Sequence, residues 1–293
     1  MSIVITGASG QLGRLTAELV LDRLPASEVI LTTRRPEALS DLAERGARVR
    51  QADFDRPETL AEAFAGGENL LLISTDDLGR RAAQHRVAIE AARDAGVRHV
   101  AYTSYLNPVE ENPAVITPSH RETEKALRES GLAWTALRHA FYAEYQVPAG
   151  AQAIATGQLI HNNGDGKTAY VSREDCAAAA AAVLTTDGHE DKAYDITGPE
   201  SFSQGDVAAL LSEVSGRPVE VVAVDDEAFI QGLAAAGVPE PAAREVASYG
   251  RAIREGHIDQ ISGTVENLTG RAPRSLRQVF EAHRDELLQW ASA

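Results

Sequence analysis

The chain opens with an apolar run that passes through three glycines into a helix pattern, and this stretch constrains the fold more than any other. It reads Ile3-Val4-Ile5-Thr6-Gly7-Ala8-Ser9-Gly10-Gln11-Leu12-Gly13. A strand that turns into a helix through glycines leaves backbone N–H groups at the positive end of the helix dipole, where a pyrophosphate binds. The spacing is G-x-x-G-x-x-G rather than G-x-G-x-x-G, but its strand–turn–helix context favours a dinucleotide site over an ordinary tight turn.

Apolar, β-branched runs alternate with amphipathic helix patterns along the rest of the chain. We expect further strands at 29–33, 48–51, 70–73, 97–103, 134–137 and 194–196. Near-continuous apolar strands separated by helices predict a parallel sheet that is covered on both faces. The predicted fold is therefore α/β, a Rossmann-type doubly wound parallel sheet. Right-handed crossovers would place the carboxyl ends of its strands at one edge, where a ligand binds.

The second half is less regular and carries three local signals. Ser119 is expected to cap a helix over 119–130, because Glu122 follows at capping-box spacing. The run Asn162-Asn163-Gly164-Asp165-Gly166 predicts a hairpin turn near the site. Ser172 is expected to cap an alanine-rich helix.

The 293 residues suffice for one large domain, or for a domain with an appended lobe. We expect a dinucleotide-binding Rossmann domain over 1–150. The remaining sheet elements and a smaller, mainly helical substrate lobe would occupy 151–293, in one continuous structural unit.

Charge and composition exclude several classes of partner. The net charge of −15, from 28 basic and 43 acidic residues, repels nucleic acid and anionic membranes. No stretch reaches the roughly 18 apolar residues of a membrane span, and a strand beginning at Ser2 leaves no room for a signal segment. A single cysteine, Cys176, excludes an intrachain disulfide. We therefore expect a cytoplasmic protein, a monomer or a homodimer, that acts on a small molecule.

The end of the second strand indicates which cofactor is used. It reads Thr32-Thr33-Arg34-Arg35 and lacks the acid that holds the ribose 2′-hydroxyl in NAD sites. A guanidinium at this position would pair with a 2′-phosphate, which favours NADP(H). Arg34 is the first candidate for that role; the alternative is that both arginines are solvated surface charges.

Polar residues also follow the third and fourth strands. Asp53 and Phe54 could hydrogen-bond to and pack against an adenine ring, or they could be a helix cap and a core phenylalanine. Ser74 and Thr75 leave the fourth strand beside the expected cofactor path, although small hydroxylic residues also form plain turns.

The usual acid catalyst of short-chain reductases is missing. These enzymes carry Tyr-x-x-x-Lys on the helix after the fifth strand, but here His120 stands for the tyrosine and Glu124 for the lysine. Lys125 is one position off, about 100° around the helix. His120, Tyr105 and Tyr142 are candidate proton donors, and a structural histidine is the alternative for His120. The histidines show no metal-ligand spacing, so no metal site is expected, and the absence of G-x-S-x-G argues against a hydrolase.

Several segments together resemble the NmrA-like atypical short-chain dehydrogenases, in the branch of NAD(P)H:quinone oxidoreductase type 2 and triphenylmethane reductase. They are the glycine turn, 51–54, 120–125, 137–142, 196–200 and 268–273. The resemblance covers essentially the whole chain.

The resemblance implies a position for each part of NADP(H). The cofactor would lie along Gly7, Ser9, Gly10, Gln11 and Leu12, with Arg34 on the 2′-phosphate and Asp53 and Phe54 beside adenine. Its middle would contact Ile73, Ser74 and Thr75. The nicotinamide end would reach His139, Ala140, Phe141 and Tyr142, where His139 replaces the asparagine expected in close relatives.

The resemblance also implies a function. Hydride would pass directly from NADPH to a quinone or similar conjugated carbonyl, without flavin, and this needs little acid catalysis because the resulting anion is fairly stable. Two alternatives remain at this point: a non-catalytic NAD(P)-sensing regulatory protein, and a ketoreductase of specialised metabolism.

Overall fold

The computed structural model describes residues 1–289, and its centre is a parallel sheet. Within those residues this sheet has seven strands, all parallel, in the order β3-β2-β1-β4-β5-β6-β8. Its strands are β1 (Ile3–Ile5), β2 (Val29–Thr33), β3 (Arg48–Gln51), β4 (Asn69–Leu72), β5 (His99–Tyr105), β6 (Ala133–His139) and β8 (Lys192–Ile196). The prediction of an α/β, Rossmann-type doubly wound parallel sheet is confirmed.

Helices follow most of the strands and continue to the end of the described residues. They are α1 (Gln11–Leu21), α2 (Ser40–Glu44), α3 (Leu60–Phe64), α4 (Arg81–Asp94), α5 (Thr117–Glu129), α6 (Gln146–Thr156), α7 (Arg173–Thr185), α8 (Gln204–Ser215), α9 (Asp226–Ala235), α10 (Glu240–Arg254), α11 (Thr264–Thr269), α12 (Leu276–Ala282) and α13 (Arg284–Gln289). Short 3-10 helices lie at Ala26–Glu28, Pro36–Leu39, Pro57–Thr59 and Ala143–Tyr145. No helix within residues 1–289 combines the length and the apolar character that crossing a membrane requires.

Two buried clusters, one on each face, hold the helices to the sheet. Helices α1 and α7 pack on one face, and α3, α4 and α5 pack on the other. Helix α7 is buried along almost its whole length, and the small side chains of Ala177 to Ala182 let it lie close to α1 and to the strands. The Ser172 side chain accepts a hydrogen bond from the backbone N–H of Asp175, so its predicted capping role is confirmed.

The C-terminal part adds a third core beside the sheet. Buried side chains of α6, α8, α12 and α13 make up most of this core, which includes Val147, Leu211 and Phe280. A two-stranded parallel sheet of β7 (Gln158–His161) and β9 (Glu220–Ala223) lies next to it. The last residues of the predicted lobe, 290–293, lie outside the described residues, and the division at residue 150 stays a prediction.

The predicted N-cap at Ser119 is wrong. Helix α5 begins at Thr117, with Ile116 at the N-cap position, and the Ser119 hydroxyl donates to the Ile116 carbonyl at 2.8 Å. Pro118 explains the difference, because a proline in the first helical turn needs no N–H partner and allows the helix to begin before it.

The predicted hairpin at 162–166 is also wrong. A turn does occur there, with Gly164 at φ +54°, but the strand before it, β7, pairs in parallel with β9. The partner strand therefore comes from a segment almost sixty residues away, which no local turn signal encodes.

The strand order places the ligand-binding edge. It runs outward from β1 in one direction and from β4 in the other, so the order reverses between these two strands. In open α/β sheets the crevice at such a reversal, beyond the carboxyl ends of the strands, is where ligands bind.

We predict that Gly13→Ala destabilises the protein and weakens binding of NADPH. A Cβ at this position would lie 2.3 Å from the Gly7 carbonyl oxygen, which is backbone and cannot move aside. We expect a loss of about 1–3 kcal/mol in the free energy of unfolding, as for overpacked cores. Urea unfolding and NADPH fluorescence titration measure the two effects.

Gly232→Ala is the matched control for this substitution. Gly232 is exposed within helix α9, and a Cβ there meets nothing within 4 Å. The control should be neutral or stabilising by up to about 1 kcal/mol. Equal effects of the two substitutions would contradict the close-packing argument.

Candidate cofactor and acceptor site

The glycine turn has the geometry of an anion-binding helix start. Gly7 adopts φ +59°, and the Gly10 N–H donates to the Gly7 carbonyl at 2.9 Å. Helix α1 then begins at Gln11, with Gly10 at the N-cap and no side-chain capping bond. The first-turn N–H groups have no intrahelical partner, so they can donate to an anionic ligand. The glycine turn thus suits the pyrophosphate that the sequence predicted.

The end of β2 is tied to this turn and leaves Arg34 free. The hydroxyls of Ser9 and Thr33 are 2.7 Å apart, and the Arg35 N–H donates to Thr33 Oγ1 at 3.2 Å. Arg34 and Arg35 are exposed. Within residues 1–289 the Arg34 guanidinium has no ion pair and no hydrogen bond, so its charge is available to a ligand phosphate.

Asp53 and Phe54 both have local partners. One Asp53 carboxylate oxygen accepts from the Asp55 N–H at 3.1 Å, and the other lies 3.5 Å from Arg56 Nε. Phe54 is half-buried against the cluster on the α3 face. Asp53 therefore bonds locally, as a capping residue does, and Phe54 packs partly in the core. The adenine role of both residues stays a prediction.

Side chains from three elements hold the segment after β4. The N–H groups of Ile73, Ser74 and Thr75 donate to Thr6 Oγ1 (2.9 Å), Thr103 Oγ1 (2.9 Å) and His85 Nε2 (3.1 Å), respectively. Each successive backbone N–H is thus occupied by a side chain rather than by a neighbouring strand. The segment has a defined path across the ligand-binding edge.

His85 is a fixed, neutral imidazole in this network. Its Nε2 accepts a backbone N–H, so its proton must lie on Nδ1, which is 2.9 Å from Thr123 Oγ1. Burial and the charge of Arg81 lower its pKa from 6.5 to about 3. His85 therefore positions Thr75 and does not titrate near neutral pH.

His120 and Glu124 stand at the positions of the missing catalytic pair. His120 is buried, with Nδ1 2.7 Å from the Tyr102 hydroxyl, and burial places its pKa well below 6.5. The Glu124 carboxylate accepts from Ser104 Oγ at 2.8 Å and from Arg138 at 2.8 and 2.9 Å. Both side chains are buried and bonded to other protein groups, and His120 stays in its neutral form.

Two buried polar atoms at the ends of β5 and β6 lack a partner. The Tyr105 hydroxyl and His139 Nε2 are inaccessible to solvent and make no hydrogen bond within residues 1–289. These residues are paired in the register of β5 and β6. The other nitrogen of His139 lies 2.9 Å from the Tyr142 hydroxyl, and burial lowers the pKa of His139 to about 3. Unpaired buried polar atoms are costly, and they occur where a ligand or water supplies the partner.

The residues after β6 form an aromatic wall. The Ala140 N–H donates to the Ile196 carbonyl at 3.0 Å, so it belongs to the sheet. The Phe141 ring meets Tyr105 and Tyr249 edge-on, with centroids 5.9 and 5.0 Å away. Tyr142 lies under the guanidinium of Arg173 at 5.0 Å.

The structure brings most of the predicted site residues to one edge. Gly7 to Leu12, Arg34, Asp53, Ile73 to Thr75, Tyr105 and His139 to Tyr142 follow the carboxyl ends of neighbouring strands. His120 of α5 is buried and packs against the rings of Tyr102 and Tyr105, with centroids 5.8 and 6.1 Å away.

Sequence reasoning missed two residues at this edge, Tyr249 of α10 and Arg81. Nothing local marks Tyr249. Arg81 had one signal, since a cation in the first turn of a helix opposes the helix dipole.

We predict that the buried imidazoles make stability depend on pH. Below about pH 6.5 the unfolded chain binds protons that His85, His120 and His139 reject in the folded state. Their contribution to the free energy of unfolding is therefore complete above that pH and is lost as the pH falls toward their folded-state pKa values, which are about 3 for His85 and His139. Each imidazole should add about 1.4 kcal/mol per pH unit to this slope.

Urea unfolding between pH 7.5 and 5, combined with NMR titration of the histidine ring protons, checks this. The three rings should show no titration between pH 5 and 8 in the folded protein. A midpoint near 6.5 for any of them would contradict the assignment.

Comparisons with known proteins identify the family of the chain. Residues 7–187 match the NAD(P)H-binding family model. Quinone oxidoreductase 2 of Escherichia coli is 37% identical over 276 residues, covering 94% of this chain and 96% of that protein.

Two solved structures are also similar. The NADPH-dependent quinone oxidoreductase of Escherichia coli, complexed with NADPH, is 37% identical with a TM-score of 0.93, covering 96% of this chain and 99% of that one. Triphenylmethane reductase of Citrobacter sp., complexed with NADP(H), is 38% identical with a TM-score of 0.88 and the same coverage. The chain therefore belongs to the NAD(P)H-binding family, in its NmrA-like atypical short-chain dehydrogenase branch, and is an NAD(P)H-dependent oxidoreductase.

Proposed function

We propose that the protein transfers hydride from NADPH directly to a quinone or a similar conjugated carbonyl, without flavin. One observation carries the proposal. The position of the usual catalytic tyrosine is held by His120, a buried imidazole kept neutral, and the position of the lysine by Glu124, which is paired with Arg138. An acceptor that needs strong proton donation is poorly served by this arrangement, whereas a quinone is well served.

The cofactor's fit rests on groups that are free to bind it. The N–H groups at the start of α1 would hold the pyrophosphate, and Arg34 would hold the 2′-phosphate. The unpaired Tyr105 hydroxyl and His139 Nε2 are candidates to bind polar groups at the nicotinamide end. When bound, the nicotinamide supplies the hydride.

The protein's own part in the reaction would be to orient the acceptor and to exclude water from the site. The Phe141 and Tyr249 rings pack edge-on, with their centroids 5.0 Å apart. At the nicotinamide end they would form an apolar wall, which suits a flat conjugated acceptor and excludes water. The residues over 1–150 would then bind the cofactor, and those over 151–293, including α10, would shape the acceptor pocket.

The relatives' acceptors support this choice. One relative is a quinone oxidoreductase and another a triphenylmethane reductase. Quinones and triphenylmethane dyes are both conjugated molecules whose reduced forms are stable without an enzymatic acid at the reacting centre. The resemblance implies an asparagine at the position of His139, and an imidazole there would change the polarity of the pocket.

Turnover with a panel of quinones, dyes and ketones tests the proposed function. We expect NADPH oxidation with quinones by protein that shows no flavin absorbance as purified. His120→Gln should lower kcat by less than about tenfold, because the neutral buried ring does not supply the proton; general acids contribute 10²–10⁴.

Three results would contradict the proposal. Flavin absorbance would remove the flavin-free step, and a loss of 10²-fold or more in His120→Gln, with NADPH affinity unchanged, would make His120 the acid. Tight NADPH binding without turnover of any acceptor would support a sensing protein instead.

We predict that Arg34→Ala weakens binding of NADPH but not of NADH. The free guanidinium would pair with a phosphate that NADH lacks, so the loss should be roughly 5- to 150-fold for NADPH alone. Added salt should reduce the preference of the wild type more than that of the variant. Competitive titration of both cofactors measures this.

Arg45→Ala is the control, since Arg45 is another exposed arginine, paired with Asp22 away from the strand ends. It should leave both affinities unchanged. Equal losses for NADPH and NADH in Arg34→Ala would show that Arg34 shapes the site without recognising the phosphate.

A further inference from the structure

Arg81 is a buried cation without an acidic partner. It is the first residue of α4 and is only 5% exposed. Its Nε donates to the Thr75 carbonyl at 2.5 Å, and Nη1 lies 3.4 Å from Ser119 Oγ. Within residues 1–289 its guanidinium forms no ion pair, and Nη2 has no hydrogen-bond partner yet is not sealed from solvent.

The nearby acids do not neutralise it. Asp55 and Asp77 pair with Arg80, the exposed residue before Arg81, at 3.0 and 2.7 Å. Glu245 of α10 accepts from the Tyr249 hydroxyl at 2.6 Å. A buried charge without a counter-ion is unfavourable in the free protein, and an anionic ligand relieves that cost.

The guanidinium lies against the segment after β4, because its Nε donates to the carbonyl of Thr75 at the ligand-binding edge. Its charge lowers the pKa of the His85 and His120 imidazoles and opposes the effect of burial on the Tyr102 and Tyr249 phenols. These residues come from α4, α5, β5 and α10. Tyr249 in turn packs on Phe141, the residue expected at the nicotinamide end.

The acid at the helix start pairs with Arg80 and not with Arg81. Asp77 accepts from the Arg80 N–H at the N-cap of α4 at 3.2 Å, and its other carboxylate oxygen pairs with the Arg80 guanidinium. The positive charge offered to a ligand at this point is therefore that of the Arg81 guanidinium.

We propose that Arg81, at the start of α4, binds an anionic substituent of the electron acceptor: a carboxylate, a sulfonate or a phosphate. The proposal rests on the proposed function, because it concerns the acceptor of the same hydride transfer. It makes Arg81 a specificity-determining residue of the pocket.

A matched pair of acceptors tests this. We compare kcat/KM for 1,2-naphthoquinone and its 4-sulfonate in wild type, Arg81→Gln and Arg81→Lys. The ratio of sulfonated to neutral acceptor cancels intrinsic reactivity when it is compared between proteins. It should fall about tenfold or more in Arg81→Gln, as for loss of a charge-assisted hydrogen bond, and less in Arg81→Lys, which keeps the charge.

Arg80→Gln is the matched control. It removes the same charge from the adjacent residue, whose guanidinium is exposed and paired with acids. Its acceptor ratio should equal that of the wild type. A fall as large as that in Arg81→Gln would indicate a general field effect and overturn the proposal.

A binding measurement separates this proposal from the proposed function. Calorimetry with naphthalene-2-sulfonate, in the presence of NADP⁺, should show saturable binding to the wild type and a loss of about tenfold or more in Arg81→Gln. If the wild type turns over neither quinone, the proposed function fails while this binding still decides the role of Arg81.

Two further outcomes would overturn the proposal. An unchanged acceptor ratio with unchanged sulfonate binding in Arg81→Gln is one. A loss of NADPH affinity with an unchanged ratio is the other, because Arg81 would then serve a cofactor phosphate. Thermal unfolding identifies a variant that does not fold, and in that case Arg81→Lys decides between these outcomes.

Discussion

The close approach of helix α1 to the end of β1 is the contact on which the rest of the site depends. A side chain at Gly13 would place its Cβ 2.3 Å from the Gly7 carbonyl oxygen, so the helix can start this near the strand only without one. The close start leaves the first-turn N–H groups of α1 at the edge of the sheet. There they face the crevice created by the reversal of strand order between β1 and β4.

Beyond the last hydrogen bonds between strands, side chains hold the backbone in place at this edge of the sheet. Thr6, Thr103 and His85 each accept one of three successive N–H groups after β4, and they give an otherwise irregular segment a fixed path. His85 can do this only as a neutral imidazole, which its burial ensures. The same burial keeps His120 and His139 neutral. These buried imidazoles fix the positions of neighbouring groups but are not protonated to imidazolium near neutral pH. This agrees with the proposed acceptor, which needs little acid catalysis.

Prediction succeeded where a few neighbouring residues determine the structure. The glycine turn, the buried strands and the Ser172 cap are local, because their partners lie within a few residues or share one periodic pattern. It failed at Ser119, where Pro118 allowed an earlier helix start, and at 162–166, where the strand partner is distant. At the site, Arg34 and the residues after β4 and β6 could be named in advance, since the carboxyl ends of parallel strands converge. Their individual roles toward a cofactor remain predictions.

The sequence by itself determined the fold class, the strand–turn–helix phosphate motif and the lack of a Tyr-x-x-x-Lys pair. These follow from periodicity, glycine spacing and residue identity, which are properties of the chain alone. Only the tertiary structure decided that Tyr105 and His139, which are partners in the register of β5 and β6, would each leave a polar atom unpaired, and that Arg81 would be buried without an acid. The physical reason is that burial and the pairing of charges depend on residues far apart in sequence, such as Tyr249, which only the packed sheet and helices bring to one edge.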